Sequence, residues 1–306
     1  MRIYDCSIFY NELEVLDYRL MTLYDYVDYF IIVELGITHR GIKRCFVFEE
    51  NKDKYKKYMD KIIYIKIDEK KTYKGKLDYG IRKDFDDSIE NFHRNCIMRG
   101  LRNFNLNDDD IILISDADEI ISPNVLMNLD SLKITKIGKV HPYHKLRTIA
   151  YLFAIKPRKA KQLLFNNYTV AELLEEMPIV CEQDLYYYYI NNIMNIKWHG
   201  TVIVKYKNIQ SPQCLRDLRN ALPCVKNAGW HFSYFGGMDK VKLKLNSVYE
   251  LPPEKVTDEV VKQRMMSNKR GKWFFNGKAK FIDIEKVNIP NLKDFIKKYP
   301  YIEMKK

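Results

Sequence analysis

No stretch of this sequence is apolar for long enough to cross a membrane. The longest apolar runs, such as Phe30 to Val33 and Ile111 to Ile114, fall far short of the ~20 residues that a spanning helix needs. The opening segment MRIYDCSIFYNELEVL carries Asp5, Glu12 and Glu14 where a secretory leader would have an unbroken apolar core. A soluble, cytoplasmic protein with no membrane span is therefore expected. Cysteine is sparse and scattered: Cys6, Cys45, Cys96, Cys181, Cys214 and Cys224 form no C-x-x-C pair. That spacing fits neither a zinc cluster nor a disulfide-dense scaffold, and it predicts reduced, mostly buried thiols. Internal repeats and low-complexity linkers are absent, as is any block of five or six basic residues.

What is present is enough chain for a full core. With 306 residues, 46% of them hydrophobic, the sequence can form one large α/β domain or two smaller ones. Lys+Arg number 52 against 40 Asp+Glu, a formal charge of +12. The excess is mostly lysine dispersed among Tyr, Asn and Ile, which favours a solvated surface over a nucleic-acid-binding one. An anionic nucleotide ligand would use only a few of these charges.

The first ~130 residues alternate strand and helix patterns. RIYDCSIFY reads as a strand and NELEVLDYRLMTLYDY as an amphipathic helix with Leu13, Leu16, Leu20 and Leu23 on one face. VDYFIIVEL and KIIYIKI are further strands, separated by the charged helix NKDKYKKYMDK. A long helix is predicted from about Phe85 to Phe104, then the strand DDIILIS, then a helix with Ser122 as N-cap and Pro123 at its first position. Such alternation implies a mainly parallel sheet covered on both faces, with ligands at the carboxyl ends of its strands. Beyond about residue 135 the pattern turns β-rich, with LYYYYINN, TVIVKYKNI and the cluster GWHFSYFGG leading into a helix from Asp239 to about Tyr249.

The sharpest chemical signal is DDDIILISDADEI, residues 108–120. An apolar strand runs straight into Asp116, Asp118 and Glu119, and carboxylates that crowded repel one another unless a cation lies among them. Asp116 and Asp118, one residue apart where the strand ends, can both reach one Mg²⁺ or Mn²⁺ ion, which can in turn bridge to a diphosphate. Glu34 also falls at a strand end. His231 sits between aromatics and a Gly-Gly pair, and reads equally as a structural residue or a ligand. Asp239 reads as a helix cap or as a catalytic group. On a helical wheel Arg94 points away from the apolar stripe and Asn95 lies at its flank, which makes Arg94 a solvated surface residue. The run Tyr186–Tyr189 reads as a two-faced or edge strand, its rings able to stack on sugar faces at a site mouth.

Taken together, DCSIFYNELEVLDYRL, VDYFIIVE, FHRNCIMRGL, DDIILISDADEI, YYYYINN…WHGTVIVKY and GWHFSYFGGMDKVKLKLNS resemble glycosyltransferase family 17, the β-1,4-mannosyl-glycoprotein β-1,4-N-acetylglucosaminyltransferases. The likeness covers most of residues 3–137 and 185–280, and as a soluble member the chain would be viral or microbial. Two departures are His93, where relatives often have Gln, and Tyr249, where many have His. The resemblance implies a GT-A type α/β fold with a mainly parallel central sheet and a β-rich acceptor-side second half. It divides the chain into a nucleotide-sugar half (1–137), an insertion (138–184) and an acceptor half (185–306), packed as one unit. It further implies a UDP-sugar donor, UDP-GlcNAc in characterised relatives, a glycan acceptor, Mn²⁺ or Mg²⁺, and inversion at the anomeric carbon. Asn11, Glu12 and Glu34 are then expected at the nucleoside, with Arg94 and Asn95, against the wheel. Asp116 would serve both metal and donor, Asp118 would share the ion, His231 would complete the metal shell or orient the donor, and Lys244 would reach the diphosphate. Asp239 is the expected base, with Glu119 and Glu182 as rivals. Two other readings of the residues stay open. A haloacid-dehalogenase-type phosphatase also uses D-x-D after an apolar strand, although Ile120 stands where it normally has Thr or Val; the second is a basic nucleic-acid-binding protein on a degenerate transferase fold.

Overall fold

Strand β1 (Ile3–Phe9) is buried along nearly all its length, which is why IYDCSIF shows no polar alternation. The computed structural model describes residues 1–68, 87–132, 134, 149–150, 168–247, 252–266 and 278–305. Within it β1 pairs in parallel with β2 (Tyr29–Leu35) on one side. Strand β3 (Ile62–Ile67) extends that side, also in parallel. Strand β4 (Ile111–Asp116) lies parallel to β1 on the other side, with Ile8 opposite Asp116. The order β3-β2-β1-β4 means that the chain winds one way from β1 and then returns to its far side. The resulting switch point, between β1 and β4, leaves a crevice at their carboxyl ends, the usual ligand position in such sheets.

The remaining strands continue the same sheet. They are β5 (Glu119–Ile121), β6 (Ile179–Tyr187), β7 (Asn192–Lys205), β8 (Cys224–Val225), β9 (Gly229–Ser233) and β10 (Ala279–Phe281). Beyond β4 the order runs β7-β6-β9-β5, with β10 attached to β7 and β8 to β6. Strands β8 and β9 run parallel to β6, whereas β7 runs antiparallel to β4 and β6. The α/β sheet is thus mainly parallel, with antiparallel joints in its second half. No helix among the described residues is long and apolar enough to cross a membrane.

Helices depart from the sequence reading where packing overrides a local pattern. Leu13–Leu23 forms as expected and buries Leu16, Leu20 and Leu23, yet Arg19 is buried with them. The charged segment after residue 50 is a 3-10 helix, Lys52–Tyr58, that buries Tyr55 and Tyr58 and follows the short helix Val47–Asn51. The single helix expected over 85–104 is two, Asp87–Asn95 and Ile97–Leu101, with residues 85 and 86 outside the described set. The second sits so close to β2 that a Cβ at Gly100 would lie 2.4 Å from Ile31 Cγ2. Ser122 holds the N-cap position before Pro123 but makes no side-chain cap bond. Residues 138–148 and 151–167 of the expected insertion, and Tyr249, lie outside the described residues, while β6 begins within that stretch and runs mid-sheet. Tyr186, Tyr187 and Tyr188 are buried in the cores, so these three rings are not the exposed platform that the run suggested.

Candidate functional site

The acidic turn is built from beneath by a charged residue. Buried Arg19 reaches Asp5 through Nε at 2.6 Å and again through Nη2, and donates to Ser115 Oγ at 2.7 Å. Its Nη1 faces the carbonyls of Asp116, Ala117 and Glu119 at 3.2, 3.4 and 2.9 Å. A chain leaving a buried strand exposes carbonyls that must find donors. Arg19 supplies them, with Asp5 as its counter-charge.

Strand pairing then brings in the histidine. Past the turn, β5 runs antiparallel to β9 with Glu119 opposite His231, and the Phe232 amide donates to the Asp118 carbonyl at 2.8 Å. The approach requires glycine at 229: its φ is +147°, and a Cβ there would stand 2.1 Å from the Ile120 carbonyl oxygen. His231 Nε2 consequently lies 3.5 Å from Asp118 Oδ1. From the helix Gly237–Ser247, Lys244 donates to Asp118 Oδ2 at 3.0 Å and to Glu12 Oε1 at 3.2 Å. Glu12 in turn accepts from the amides of Tyr10 and Asn11, both at 3.0 Å. Burial alone would raise the Asp118 carboxyl, but Lys244 and then His231 outweigh it and hold the group well below the usual range.

Asp116 is fixed differently. Its Oδ1 accepts from Arg94 at 2.8 Å, its Oδ2 from Arg216 at 2.9 Å, and its amide donates to Glu119 Oε2 at 3.1 Å. Burial would raise this carboxyl too, and Arg216 followed by Arg94 hold it far down instead. Glu119 is fully buried, bonded to Arg216 and, at 2.5 Å, to the Trp198 indole. Arg94 is 1% exposed and also bonds Glu90 at 2.9 Å and Gln213, which corrects the solvated reading of the wheel. The helix Pro212–Leu218 covers the face that the wheel left open. Asn95 anchors that helix by accepting from the Gln213 amide at 3.0 Å.

These groups border a cavity of about 220 Å³ at the β1–β4 switch point. Tyr10, Glu12, His39, Glu90 and His93 line it together with Asp116, Asp118, His231 and Lys244. Other expected site residues lie elsewhere. Glu34 is buried and spends its carboxylate on Arg44 at 2.9 Å, the amides of Val47 and Phe48 at 2.7 and 3.0 Å, and the Tyr64 hydroxyl at 3.0 Å, pinning the segment after β2. Asn11 is buried beside Glu12 without lining the cavity. Asp239 is exposed in the first helical turn, five residues before Lys244 and so about 140° away around the helix. Glu119 holds Asp116 and Arg216 and does not line the cavity. Glu182 lies on β6 beside His199 and Cys224. The sequence reading missed Asp5, Arg19, Trp198 and Arg216, which shape the turn. None of the four left a distinct signal in the sequence, since Arg19 shares its amphipathic helix with Glu14 and Asp17.

The residues can accommodate a divalent ion. Two ligands at right angles, each ~2.1 Å from an octahedral ion, are about 3.0 Å apart, close to the 3.5 Å between Asp118 Oδ1 and His231 Nε2. A carboxylate with an imidazole suits Mn²⁺ better than Mg²⁺. Asp116, with a guanidinium on each oxygen, is the poorer ligand.

Residues 1–158 match the family model for glycosyltransferase family 17. No protein of curated function matches the chain. Among solved structures it is similar to a mannosyltransferase of Pyrobaculum calidifontis in complex with GDP-Man and Mn²⁺. That match has 10% identity and a TM-score of 0.34, covering 86% of this chain and 69% of the other.

Proposed function

The chain belongs to glycosyltransferase family 17, and from that premise we propose that it is a metal-dependent, inverting enzyme that moves GlcNAc from UDP-GlcNAc onto a glycan acceptor. Membership sets aside the phosphatase reading. The observation that carries the proposal is the meeting of Asp118, His231 and Lys244 in the switch-point cavity. A nucleoside enters between Tyr10, His39 and His93, which sets its diphosphate against that trio. Asp118 and His231 are the residues that would hold Mn²⁺. When bound, the ion supplies Lewis-acid neutralisation of the charge that grows on the departing UDP.

The chain's own groups position the donor. Lys244 lies 3.0 Å from Asp118 and turns its ammonium toward the diphosphate as the donor enters. Arg94 and Arg216 hold the Asp116 carboxylate in one orientation, presented to the donor as a fixed acceptor. The Trp198 ring, 4.8 Å from that of His231, sets the imidazole's tilt. Preorganised charge of this kind is worth more than charge that must reorient during the reaction.

The test is UDP release and sugar transfer from UDP-GlcNAc with Mn²⁺, comparing the wild type with Asp118→Asn and His231→Ala. Both variants should fold and lose at least a hundredfold in turnover, and proton NMR of the wild-type product should show the β-anomer. Full turnover by Asp118→Asn would overturn the assignment.

A further inference from the structure

A second cation site lies on the sheet outside the cavity. Glu182 on β6, His199 on β7 and Cys224 on β8 each offer a ligand atom, and the three atoms lie within 4.8 Å of one another. Sheet pairing assembles them: β6 is flanked by β7 and β8, Glu182 stands opposite His199, and Cys224 is in register with Val180, two residues before Glu182. All three are half-buried, so solvent can complete a coordination shell. The His199 ring is steadied at Nδ1 by Asn220 Oδ1, 3.2 Å away, the kind of outer contact that orients a ligating imidazole.

We propose that Glu182, His199 and Cys224 form a binding site for a thiophilic divalent cation, Zn²⁺, distinct from the ion site at Asp118 and His231. One carboxylate, one imidazole and one thiolate make a donor set that zinc accepts and that Mg²⁺ does not. Tetrahedral Zn²⁺ holds sulfur at ~2.3 Å and nitrogen or oxygen at ~2.0–2.1 Å. The ligand atoms would then be roughly 3.4–3.6 Å apart, so closure from 4.8 Å is about 1.4 Å at most. Side-chain rotation supplies that much without moving a strand. The thiol proton leaves to solvent as the Zn–S bond forms, so affinity rises with pH. The site ties together three strands next to Trp198, the residue that holds Glu119. Zinc is therefore a staple for these three strands and takes no part in transfer itself.

The experiment titrates the reduced, untagged full chain with Co²⁺ and then Zn²⁺, following the thiolate-to-cobalt charge-transfer band in the near ultraviolet. The expected result is one equivalent of Co²⁺ giving the band, its displacement by Zn²⁺, and a higher melting temperature with Zn²⁺. Cys224→Ser should abolish the band, His199→Ala should weaken binding at least a hundredfold, and Asp118→Asn should leave it intact. Per-site mass spectrometry of alkylation in the wild type needs no variant to fold: Zn²⁺ should protect Cys224 and leave Cys45 reactive. A wild type without a thiolate band, a band that survives Cys224→Ser, or Cys224 alkylation unchanged by Zn²⁺ would each overturn the proposal.

Discussion

Replacing Arg19 with methionine tests how the acidic turn is held. The side chain is 1% exposed and bonds Asp5, Ser115 and three backbone carbonyls. Methionine fills much of the volume but leaves Asp5, itself 1% exposed, as an uncompensated buried carboxylate. Breaking a buried pair in this way costs about 3–5 kcal/mol. At roughly 2.1 cal/mol/K of unfolding entropy per residue, the chain's 306 residues give about 640 cal/mol/K, so the melting temperature should fall by about 5–8 °C. The assay is urea unfolding followed by circular dichroism, read as a shift in midpoint at constant slope. The double variant Asp5→Leu/Arg19→Met removes the orphaned charge and should be more stable than Arg19→Met alone. If Arg19→Met costs less than about 1 kcal/mol, or if the double variant is the worse of the two, the turn does not depend on this pair and the reasoning fails.

Lys244→Ala should have opposite effects on two ligands. Removing the cation from Asp118 should tighten Mn²⁺ binding in the absence of nucleotide, while UDP affinity falls about ten- to hundredfold, as expected for a hydrogen bond to a charged group; calorimetry of each ligand separates the two. Asp239→Asn should keep near-normal turnover, because Asp239 is exposed and turned away from Lys244; loss of transfer with intact UDP binding would restore it as the base. Glu14 predicts an acid limit. Burial would raise its carboxyl, but Lys240 and Tyr301, each bonded to it at 2.5 Å, hold it below the usual glutamate value. A depressed pKa contributes stability that is present above the unfolded value of about 4.3 and is lost as pH falls below it. Glu14→Gln should therefore be less stable than wild type at pH 7 and show a smaller further loss between pH 5 and pH 3 in urea titrations.

How much of this could be read from the sequence depends on the range of the interaction. The strands β1 to β4 were legible because runs such as FIIV and IILI are buried on both faces and carry their own pattern. Asp116 and Asp118 were legible for the same reason, since an apolar strand that ends in carboxylates marks its own carboxyl end. Arg94 was misplaced by the wheel because the helix that buries it, Pro212–Leu218, lies more than a hundred residues away in the chain. Arg216 left no local signal at all, since its role arises from a tertiary approach to Asp116 and Glu119. Glu34 pointed to the ligand by its position at a strand end, but Arg44 and two amides claim its carboxylate. Scattered cysteines gave no metal spacing because sheet register, not sequence distance, brings Cys224 to Glu182 and His199.

The central claim, that Asp118 and His231 hold the ion through which a UDP-sugar binds, is tested most directly by the melting temperature with UDP-GlcNAc in the presence of Mn²⁺ or EDTA. A ligand that binds only the native state at a hundred times its Kd stabilises by about 2.7 kcal/mol, which on the entropy used above is a rise of about 4 °C. The account predicts that rise for the wild type with Mn²⁺, and its disappearance both in EDTA and in Asp118→Asn. An equal rise in EDTA, or one that persists undiminished in Asp118→Asn, would contradict it.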